Sequence, residues 1–385
     1  MSLHIGILGG GRMGKDVFDI FSRNGYAVTL YVRRAEAAAE LEEQLLSALR
    51  RRASKPGARG EAAQAQLNRL KITTQLEDLA SCDLINENIT EDVALKQPLL
   101  RTLETLIRPD CILTSDSSFN TPERIFAQAQ HQARCLNLHF FYPTMLTSFV
   151  EVIPASFTSP DVTERVVEIV KSLKVRPILC CSVPGFLVNR MIPAFYLEGV
   201  LMLEEGYFTA AEIDTLAKTH LLGMGAGPLE ASDQIGIDLV GKENQDYSDL
   251  WREGWIHPPL LKKLIEEGRL GPKSGKGIYV YPEGRPVDDS RNLPRTERYQ
   301  SVTAYGQEEV IERLFYNVVV EAFRQLDLGV GSAEDIDHTL KEVLGFKQGP
   351  IAAAQQRGLA NVKTRLETLT ERYGARFTPR GSLAG

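Results

Sequence analysis

Short apolar runs alternate with helix-like stretches over the first 183 residues of the chain. The first run, His4–Leu8, is followed by the helix-like stretch KDVFDIFSRNG and by a second apolar run, AVTLYV. Further runs that predict strands have the sequences DLINE, CILTS, CLNLH and VRPILC. Strands that alternate with helices in this way form a largely parallel sheet with helices on both faces. We therefore predict an α/β, doubly wound domain over residues 1–183.

The pattern changes after Pro184-Gly185, where long helical patterns replace the strands. Residues 189–214 align without gaps with residues 312–337, at an offset of 123 positions. Self-similarity over such a length predicts a duplicated all-α domain. The expected segments are a first helical domain, a polar linker and a second, non-catalytic copy: 184–282, 283–306 and 307–385.

An insert rich in Ala, Glu and Arg separates the second strand from the strand LKITT. Because Lys55-Pro56-Gly57 interrupts this insert, we predict a hairpin of two helices near 34–69. The hairpin carries the densest basic cluster of the chain: Arg50, Arg51, Arg52 and Lys55. One interpretation of the cluster is a solvated helix face, and the other is a clamp for the phosphates of a large anionic substrate.

Composition narrows the classes of function. The net charge of -6 argues against a nucleic-acid partner, because phosphate binding needs an accumulated positive field. The five cysteines show no CxxC spacing, so we expect reduced thiols in a cytoplasmic protein and no metal site. No apolar run approaches the ~20 residues of a membrane span, and the N-terminus does not have the layout of a signal peptide.

The sequence GGGRMG lies between the first strand and the first helix. Its glycines Gly9, Gly11 and Gly14 have the GxGxxG spacing, in which the backbone approaches a pyrophosphate at the N-terminus of the helix. Arg12 and Met13 belong to the same loop. We predict a Rossmann-type dinucleotide site here, and the alternative is a glycine turn with a structural role only.

Eight motifs then carry a resemblance to a known family. They are GILGGGRMG, LINENITEDVALK, SDSSF, LHFFYP, FVEVIP, PGFLVNRM, AGPLEASDQIGID and GPKSGKGIY. In this order and spacing the chain resembles the L-3-hydroxyacyl-CoA dehydrogenase family over roughly residues 4 to 281. The C-terminal repeat is similar to the second helical domain of longer members. The resemblance implies a role in fatty acid metabolism, in which a nicotinamide oxidises a (3S)-3-hydroxyacyl thioester to the 3-oxoacyl thioester.

The reaction explains why a His and a Glu stand among apolar residues in LHFFYP and FVEVIP. Removal of hydride from a secondary alcohol requires a base for the hydroxyl proton, and His139 is suited to that role. Glu151 can hold the tautomer of the ring and offset the charge of the imidazolium. The alternative is a core histidine bonded to a backbone carbonyl, with Glu151 on a solvated face.

The resemblance implies further site residues. Ser118 matches the serine that hydrogen-bonds the substrate oxygen, and Asn189 matches the asparagine near the thioester and the nicotinamide. Taken alone, each is more often a turn residue or a helix cap. Glu87 and Lys96, in LINENITEDVALK, are expected to bind the cofactor.

Three positions depart from the family pattern. Val32 stands where an acidic residue usually binds the adenosine ribose, and Arg33 and Arg34 follow it, which favours NADP slightly over NAD. Tyr142 replaces the asparagine of the usual HFFNP, and Asp116 stands where asparagine is usual. Both changes lie beside the expected reaction centre, so a modified or carrier-protein-bound acyl group stays open as the substrate.

Two other functions are open from the sequence. One is a catalytically inactive dinucleotide-binding protein, and the other is a dehydrogenase of small free hydroxy acids, which typically relies on a lysine rather than a His-Glu pair. Members with a single helical domain tend to dimerise through it. We therefore expect either a monomer whose two copies form an internal pseudo-dimer or a weak homo-oligomer.

Overall fold

The computed structural model describes residues 3–241 and 254–384, which form two compact units, Met1–Phe186 and Leu187–Gly385. The first unit is an α/β domain and the second is helical. The division lies close to the boundary predicted after residue 183. The predicted fold class, an α/β Rossmann-type doubly wound domain followed by a duplicated all-α domain, is confirmed.

An eight-stranded sheet forms the centre of the first unit. Its strands are β1 (His4–Leu8), β2 (Ala27–Tyr31), β3 (Leu70–Thr73), β4 (Leu84–Glu87), β5 (Ile112–Ser115), β6 (Cys135–His139), β7 (Phe149–Pro154) and β8 (Arg176–Leu179). Their order is β3-β2-β1-β4-β5-β6-β7-β8, and all neighbours are parallel except β6 and β7. The strand order reverses between β1 and β4, which is where doubly wound sheets bind ligands.

Seven helices of the first unit lie among the described residues. They are α1 (Arg12–Arg23), α2 (Ala35–Leu41), α3 (Ser47–Ala53), α4 (Ala58–Leu67), α5 (Val93–Glu104), α6 (Pro122–Ile125) and α7 (Pro160–Ser172). Helix α1 buries Val17, Phe18 and Phe21, whose spacing places them on one face. These side chains join Ile5 and Ile7 of β1 in one apolar cluster of the core.

The predicted hairpin near 34–69 contains α2, α3 and α4. A turn of π-helix, Glu42–Leu46, joins α2 to α3, so that the chain is helical from Ala35 to Ala53. Gly57 then separates α3 from α4 with a positive φ of 93°, a conformation in which glycine is favoured.

The second unit contains two similar helical arrays. Its helices are α8 (Val188–Glu205), α9 (Ala210–His220), α10 (Pro228–Ile235), α11 (Pro259–Glu266), α12 (Gln307–Asp327), α13 (Ala333–Val343), α14 (Pro350–Arg357) and α15 (Leu359–Tyr373). Two short strands, β9 (Tyr279–Val280) and β10 (Val287–Asp288), pair antiparallel. Within the described residues, no helix is long and apolar enough to cross a membrane.

Equivalent residues of the two copies make equivalent contacts. Asp214 accepts hydrogen bonds from the first backbone N–H groups of α10, and Asp337 does the same for α14. A Cβ at Gly227 would lie 2.4 Å from Asp214, and one at Gly349 would lie 2.1 Å from Asp337. The glycine therefore permits the close approach of the aspartate in both copies.

The two long helices α8 and α12 pack together and exchange ion pairs. Arg190 Nε of the first copy lies 3.4 Å from Glu321 Oε1 of the second. Arg313 Nη2 of the second copy lies 2.6 Å from Glu198 Oε1 of the first. These are the pairs Arg190/Arg313 and Glu198/Glu321 that the repeat aligns, so the contact has an approximate two-fold symmetry.

Candidate active site

The glycine-rich loop lies at the switch point, between the end of β1 and the start of α1. Gly9 has a φ of +106°, and a Cβ there would lie 2.7 Å from the backbone oxygen of Asn88. A Cβ at Gly14 would lie 1.9 Å from the oxygen of Gly9, whereas one at Gly11 would meet no atom within 4 Å. The loop is therefore closed on its inner side and open at the helix N-terminus, which is suited to a pyrophosphate.

A cavity of about 620 Å³ adjoins this loop. It is lined by Gly9, Gly10 and Gly11 and by residues at the end of β2, which include Val32, Arg33 and Arg34. Val32 is buried, while Arg33 and Arg34 are exposed. The residues present fit a dinucleotide, and the cavity wall where a ribose acid is usual offers two guanidinium groups and no carboxylate at position 32.

Glu87 and Lys96 bond to each other at the end of β4. Both carboxylate oxygens of Glu87 lie 2.8 Å from Lys96 Nζ, and both side chains are buried. Ser115 Oγ donates to Glu87 Oε2 over 2.6 Å. Their expected contact with the cofactor stays a prediction.

His139 and Glu151 form a buried pair at the carboxyl end of β6. The antiparallel register of β6 and β7 places the two residues directly opposite each other. His139 Nδ1 and Glu151 Oε2 are 2.6 Å apart, and the side chains are 4% and 0% exposed. The rings of Phe141 and Phe186 lie 4.5 and 5.7 Å from the imidazole, so the pair is enclosed by apolar groups.

The surroundings raise the pKa of His139 above its usual range. Burial lowers the pKa, but the hydrogen bond and the charge of Glu151 outweigh burial, and Asp116 and Glu91 add to the effect of Glu151. With Nδ1 bonded to Glu151, Nε2 is the nitrogen left to exchange a proton with a substrate. The pair therefore has the chemistry of a general base with a carboxylate partner.

Glu91 is a site residue that sequence reasoning missed. It accepts hydrogen bonds from Ser117 Oγ at 2.8 and 2.7 Å, from the Ser118 backbone N–H at 2.6 Å and from Asn120 Nδ2 at 3.3 Å. It thereby fixes the loop that carries Ser118 after β5. The only signal was its position inside the motif LINENITEDVALK, where an acidic loop residue is typical of solvated surface.

Asp116 lies in the same loop and is bonded to the strand of the histidine. Its Oδ1 accepts the backbone N–H of Phe140 over 2.7 Å. Burial raises the pKa of Asp116 to about 8, although the charge of His139 and the Phe140 N–H lower it. The carboxyl is therefore part of the surroundings of His139 rather than a surface group.

The predicted substrate residues lie on the surface of the first unit. Tyr142 is 53% exposed, and the Arg12 guanidinium stacks on its ring at 4.7 Å, which links the loop after His139 to the glycine-rich loop. The basic cluster of the hairpin is exposed, and Arg50 Nη2 lies 3.3 Å from Glu42 Oε1. Met13 is partly buried and packs against the apolar cluster of the core.

Asn189 belongs to the helical unit, in the first turn of α8, and is half-buried. Its role stays a prediction. The equivalent residue of the second copy, Glu312, binds Arg365 Nε with both carboxylate oxygens, at 3.1 and 3.0 Å. The second copy therefore uses this position for an ion pair within the helical unit.

Comparison with known proteins gives one family for both units. Residues 4–183 match the 3-hydroxyacyl-CoA dehydrogenase NAD binding domain, and residues 185–281 and 310–383 match the C-terminal domain of the same family. The human mitochondrial hydroxyacyl-coenzyme A dehydrogenase is 30% identical over 288 residues, which cover 72% of this chain and 91% of that protein. The chain belongs to the 3-hydroxyacyl-CoA dehydrogenase family.

A bacterial relative and a solved bacterial structure match over almost their whole length. The 3-hydroxyadipyl-CoA dehydrogenase of Escherichia coli (strain K12) is 26% identical, over 97% of this chain and 95% of that protein. A solved structure of 3-hydroxybutyryl-CoA dehydrogenase from Escherichia coli K12 has a TM-score of 0.87 and 25% identity, over 100% of this chain and 98% of that chain. Of some other, multifunctional relatives, the chain spans only about half the length.

These findings confirm the predicted family and enzyme class. The protein is an oxidoreductase of the 3-hydroxyacyl-CoA dehydrogenase type with an NAD-binding domain, so its cofactor is a nicotinamide dinucleotide.

Proposed function

We propose that the protein oxidises a (3S)-3-hydroxyacyl thioester to the 3-oxoacyl thioester, and catalyses the reverse, with His139 as the base. The observation that carries this proposal is the buried His139–Glu151 pair, 2.6 Å apart at the carboxyl end of β6. A solvated glutamate or a histidine bonded only to a carbonyl would not favour base catalysis in this way.

In the proposed mechanism, Nε2 of His139 takes the hydroxyl proton while the C3–O bond becomes a carbonyl. When bound, the nicotinamide supplies the acceptor for the hydride from C3. Glu151 holds Nδ1 and stabilises the imidazolium that forms. Ser118, held by Glu91, and Asn189 are neutral groups that orient the substrate oxygen and the thioester without a competing charge.

For the cofactor we propose a preference for NADP over NAD. Support comes from the cavity wall, where Arg33 and Arg34 lie beside the apolar Val32. Guanidinium groups bind a ribose 2′-phosphate well, whereas the usual acidic residue would repel it.

For the substrate we propose a coenzyme A thioester whose phosphates bind the hairpin through one or two of Arg50, Arg51, Arg52 and Lys55. These side chains are exposed. Because the protein has a net charge of -6, the binding of phosphates needs a local positive surface such as this one. Removal of the charges should raise KM and leave kcat nearly unchanged, as expected for uniform binding. The KM of a short thioester without the nucleotide should not change, and equal changes for both substrates would show that the hairpin stabilises the fold instead.

A modified acyl group is the second candidate for the substrate, since one relative is named for the 3-hydroxyadipyl thioester.

We propose that the chain acts as a monomer in a reducing cytoplasm. The two helical copies already pair through Arg190–Glu321 and Arg313–Glu198, in place of a partner subunit. Cys82, Cys111 and Cys135 are buried, reduced thiols. Sedimentation at several protein concentrations tests the first statement, and a dimer that persists on dilution would contradict it.

The experiment for the function is a cofactor-reduction assay over a panel of 3-hydroxyacyl thioesters, each with NAD and with NADP. The panel contains a short and a long acyl-CoA, a dicarboxylic acyl-CoA, a carrier-protein thioester and a free hydroxy acid. We expect reduction with the (3S) thioesters and none with the free acid. Cofactor binding without reduction on any thioester would favour the inactive alternative.

A further inference from the structure

The second carboxylate oxygen of Asp116 is the unexplained atom of the site. Oδ1 accepts the Phe140 N–H, but Oδ2 is buried and has no hydrogen-bond partner within residues 3–241 and 254–384. Nearly all buried polar atoms in proteins have a partner, so an unpaired carboxyl oxygen beside a reaction centre calls for an explanation. Its bonded neighbour, Phe140, directly follows His139.

The charged groups around His139 come from three elements. Glu151 on β7 is bonded to it, and the charges of Asp116, in the loop after β5, and of Glu91, in the loop after β4, also raise its pKa. The charges of His139 and Lys96 lower the pKa of Asp116, and the charge of Glu87 raises it. The Lys96 ammonium is bonded to both oxygens of Glu87, so it is already neutralised.

Carboxyl groups therefore outnumber cations in this part of the sheet. When like charges are buried close together, one of them keeps its proton, because the ionised forms repel each other and lose solvation. Glu151 is engaged with His139 Nδ1, and Glu91 with the serine loop. Asp116 is the carboxyl with an unengaged oxygen that can hold this proton.

We propose that Asp116 is a positioning residue of the reaction centre, which fixes the end of β6 through Phe140 and shares one proton with His139. The inference rests on the proposed function, in which His139 is the base. The proton is carried either by the imidazole or by Asp116 Oδ2, and no other bond changes. The asparagine that is usual at this position can accept the same hydrogen bond from Phe140, but it cannot ionise.

The consequence is that two groups titrate together rather than one. Coupled groups lose their protons in two steps that belong to the pair. Since the charge of Asp116 raises the pKa of His139, its removal lowers that pKa. The base is then available at a lower pH in an enzyme with asparagine at position 116.

The test is the isosteric substitution Asp116→Asn, measured in two ways. One is the pH profile of kcat/KM for oxidation of a 3-hydroxyacyl-CoA, and the other is the NMR titration of His139 in the cofactor-free protein, assigned by its loss in His139→Gln. We expect two ionisations in the wild type and one in Asp116→Asn, with the midpoint of His139 lower by about one unit. The same shift in both measurements would not arise from a merely structural role.

Asp83→Asn is the matched control. Asp83 Oδ2 also accepts a backbone N–H, that of His4 over 2.7 Å, but His4 begins β1, at the end of the sheet opposite to the site. Its profile should coincide with that of the wild type. If urea unfolding shows that Asp116→Asn is destabilised, Asp116→Ser, which also cannot ionise, repeats the test.

Coincident profiles and NMR titrations of the wild type and Asp116→Asn would overturn the inference. In that case an inactive His139→Gln would leave the proposed function standing. If His139→Gln is fully active, the proposed function itself fails, whatever Asp116→Asn does.

Discussion

A buried cluster of charged side chains in the helical unit and one in the α/β unit differ in how their charges are balanced. In the helical unit the Arg313 cluster consists of Arg313, Arg376, Glu198 and Glu205, two cations with two anions. In the α/β unit the His139 cluster consists of His139, Glu151 and Asp116, one ionisable base with two acids. The first cluster matches charge for charge, and the second does not.

The Arg313 cluster satisfies its members. Glu198 accepts from Arg313 Nε at 2.8 Å and from Arg376 Nε at 2.7 Å, while Arg313 Nη1 and Nη2 bind Glu205 at 2.6 and 3.0 Å. Burial raises the pKa of Glu198, but the two arginines outweigh it and hold the pKa at about 2. Such a cluster keeps fixed charges near neutral pH and is suited to hold two helices together.

The His139 cluster instead keeps a proton that can move. Glu151 and Asp116 raise the pKa of His139, burial raises the pKa of Asp116 to about 8, and Asp116 Oδ2 is unpaired among the described residues. The difference teaches that burial alone does not mark a catalytic group. An excess of acids over cations, at the carboxyl end of a strand, is the more informative sign.

The largest expected effect in the α/β unit follows the loss of the carboxylate partner. Glu151→Gln should lower turnover by ~10²–10⁴, because the imidazolium loses its counter-charge. Combined with His139→Gln, it should cost little more than either change alone, since the two side chains act as one unit. Steady-state kinetics of the double-mutant cycle measures this. Additive losses would contradict the pairing, and Glu168→Gln, on an exposed part of α7, is the control.

In the helical unit the corresponding change should affect stability rather than chemistry. Arg313→Met leaves Glu198 with Arg376 alone and removes two hydrogen-bond donors of Glu205, so it should lower the free energy of unfolding by about 3–5 kcal/mol. Trp255 belongs to this unit, so tryptophan fluorescence during urea unfolding reports on it. The exposed Arg285→Met should stay within about 0.5 kcal/mol of the wild type. Equal losses for both arginines would contradict a special role for the cluster.

The Arg313 cluster also predicts how the free energy of unfolding falls at acid pH. Because the pKa of Glu198 is lowered from 4.5 to about 2 in the fold, its contribution is complete above about pH 4.5 and is lost as the pH falls through 2. The contribution is about 3 kcal/mol. Urea unfolding at several acid pH values should show this decline in the wild type and a smaller one in Glu198→Gln. Parallel curves for the two proteins would show that Glu198 is not held ionised.

The smallest expected effect concerns the cofactor cavity of the α/β unit. Val32→Asp should shift the ratio of NAD to NADP dissociation constants toward NAD by roughly tenfold, because a carboxylate accepts from the ribose hydroxyls and repels a 2′-phosphate. An unchanged ratio would mean that Arg33 and Arg34 do not reach the ribose. Arg34→Gln, which removes one positive charge, should weaken NADP binding more than NAD binding.

The fold and part of the site could be predicted from the sequence, for identifiable reasons. The alternation of apolar runs with helical stretches predicted the sheet, and the internal sequence repeat predicted the duplicated helical domain. The spacing of the glycines predicted the loop after β1. The repeat aligned Arg190 with Arg313, but it could not show that each arginine binds the glutamate of the other copy. An internal repeat shows which residues are equivalent, not which side chains are in contact. Arg376 lies outside the aligned segments.

Contacts between loops that follow different strands could also not be predicted from the sequence. Glu91 follows β4 and Ser118 follows β5, and only the parallel pairing of these strands brings them together. The sequence showed that Asp116 departs from the asparagine usual in the family, but it could not show that one oxygen of Asp116 is buried without a partner. The sequence identifies residue types and spacing, while the partners of a buried charge depend on the sheet order.

The most direct test of the central claim is the turnover of His139→Gln with a 3-hydroxyacyl-CoA at saturating cofactor. The substitution removes the base and roughly keeps shape and polarity, so turnover should fall by ~10²–10⁴ while the cofactor dissociation constant and the unfolding of both units stay unchanged. The exposed His131→Gln is the matched control and should be fully active. Normal turnover of His139→Gln would contradict the account, because the buried pair would then be a structural feature of the sheet.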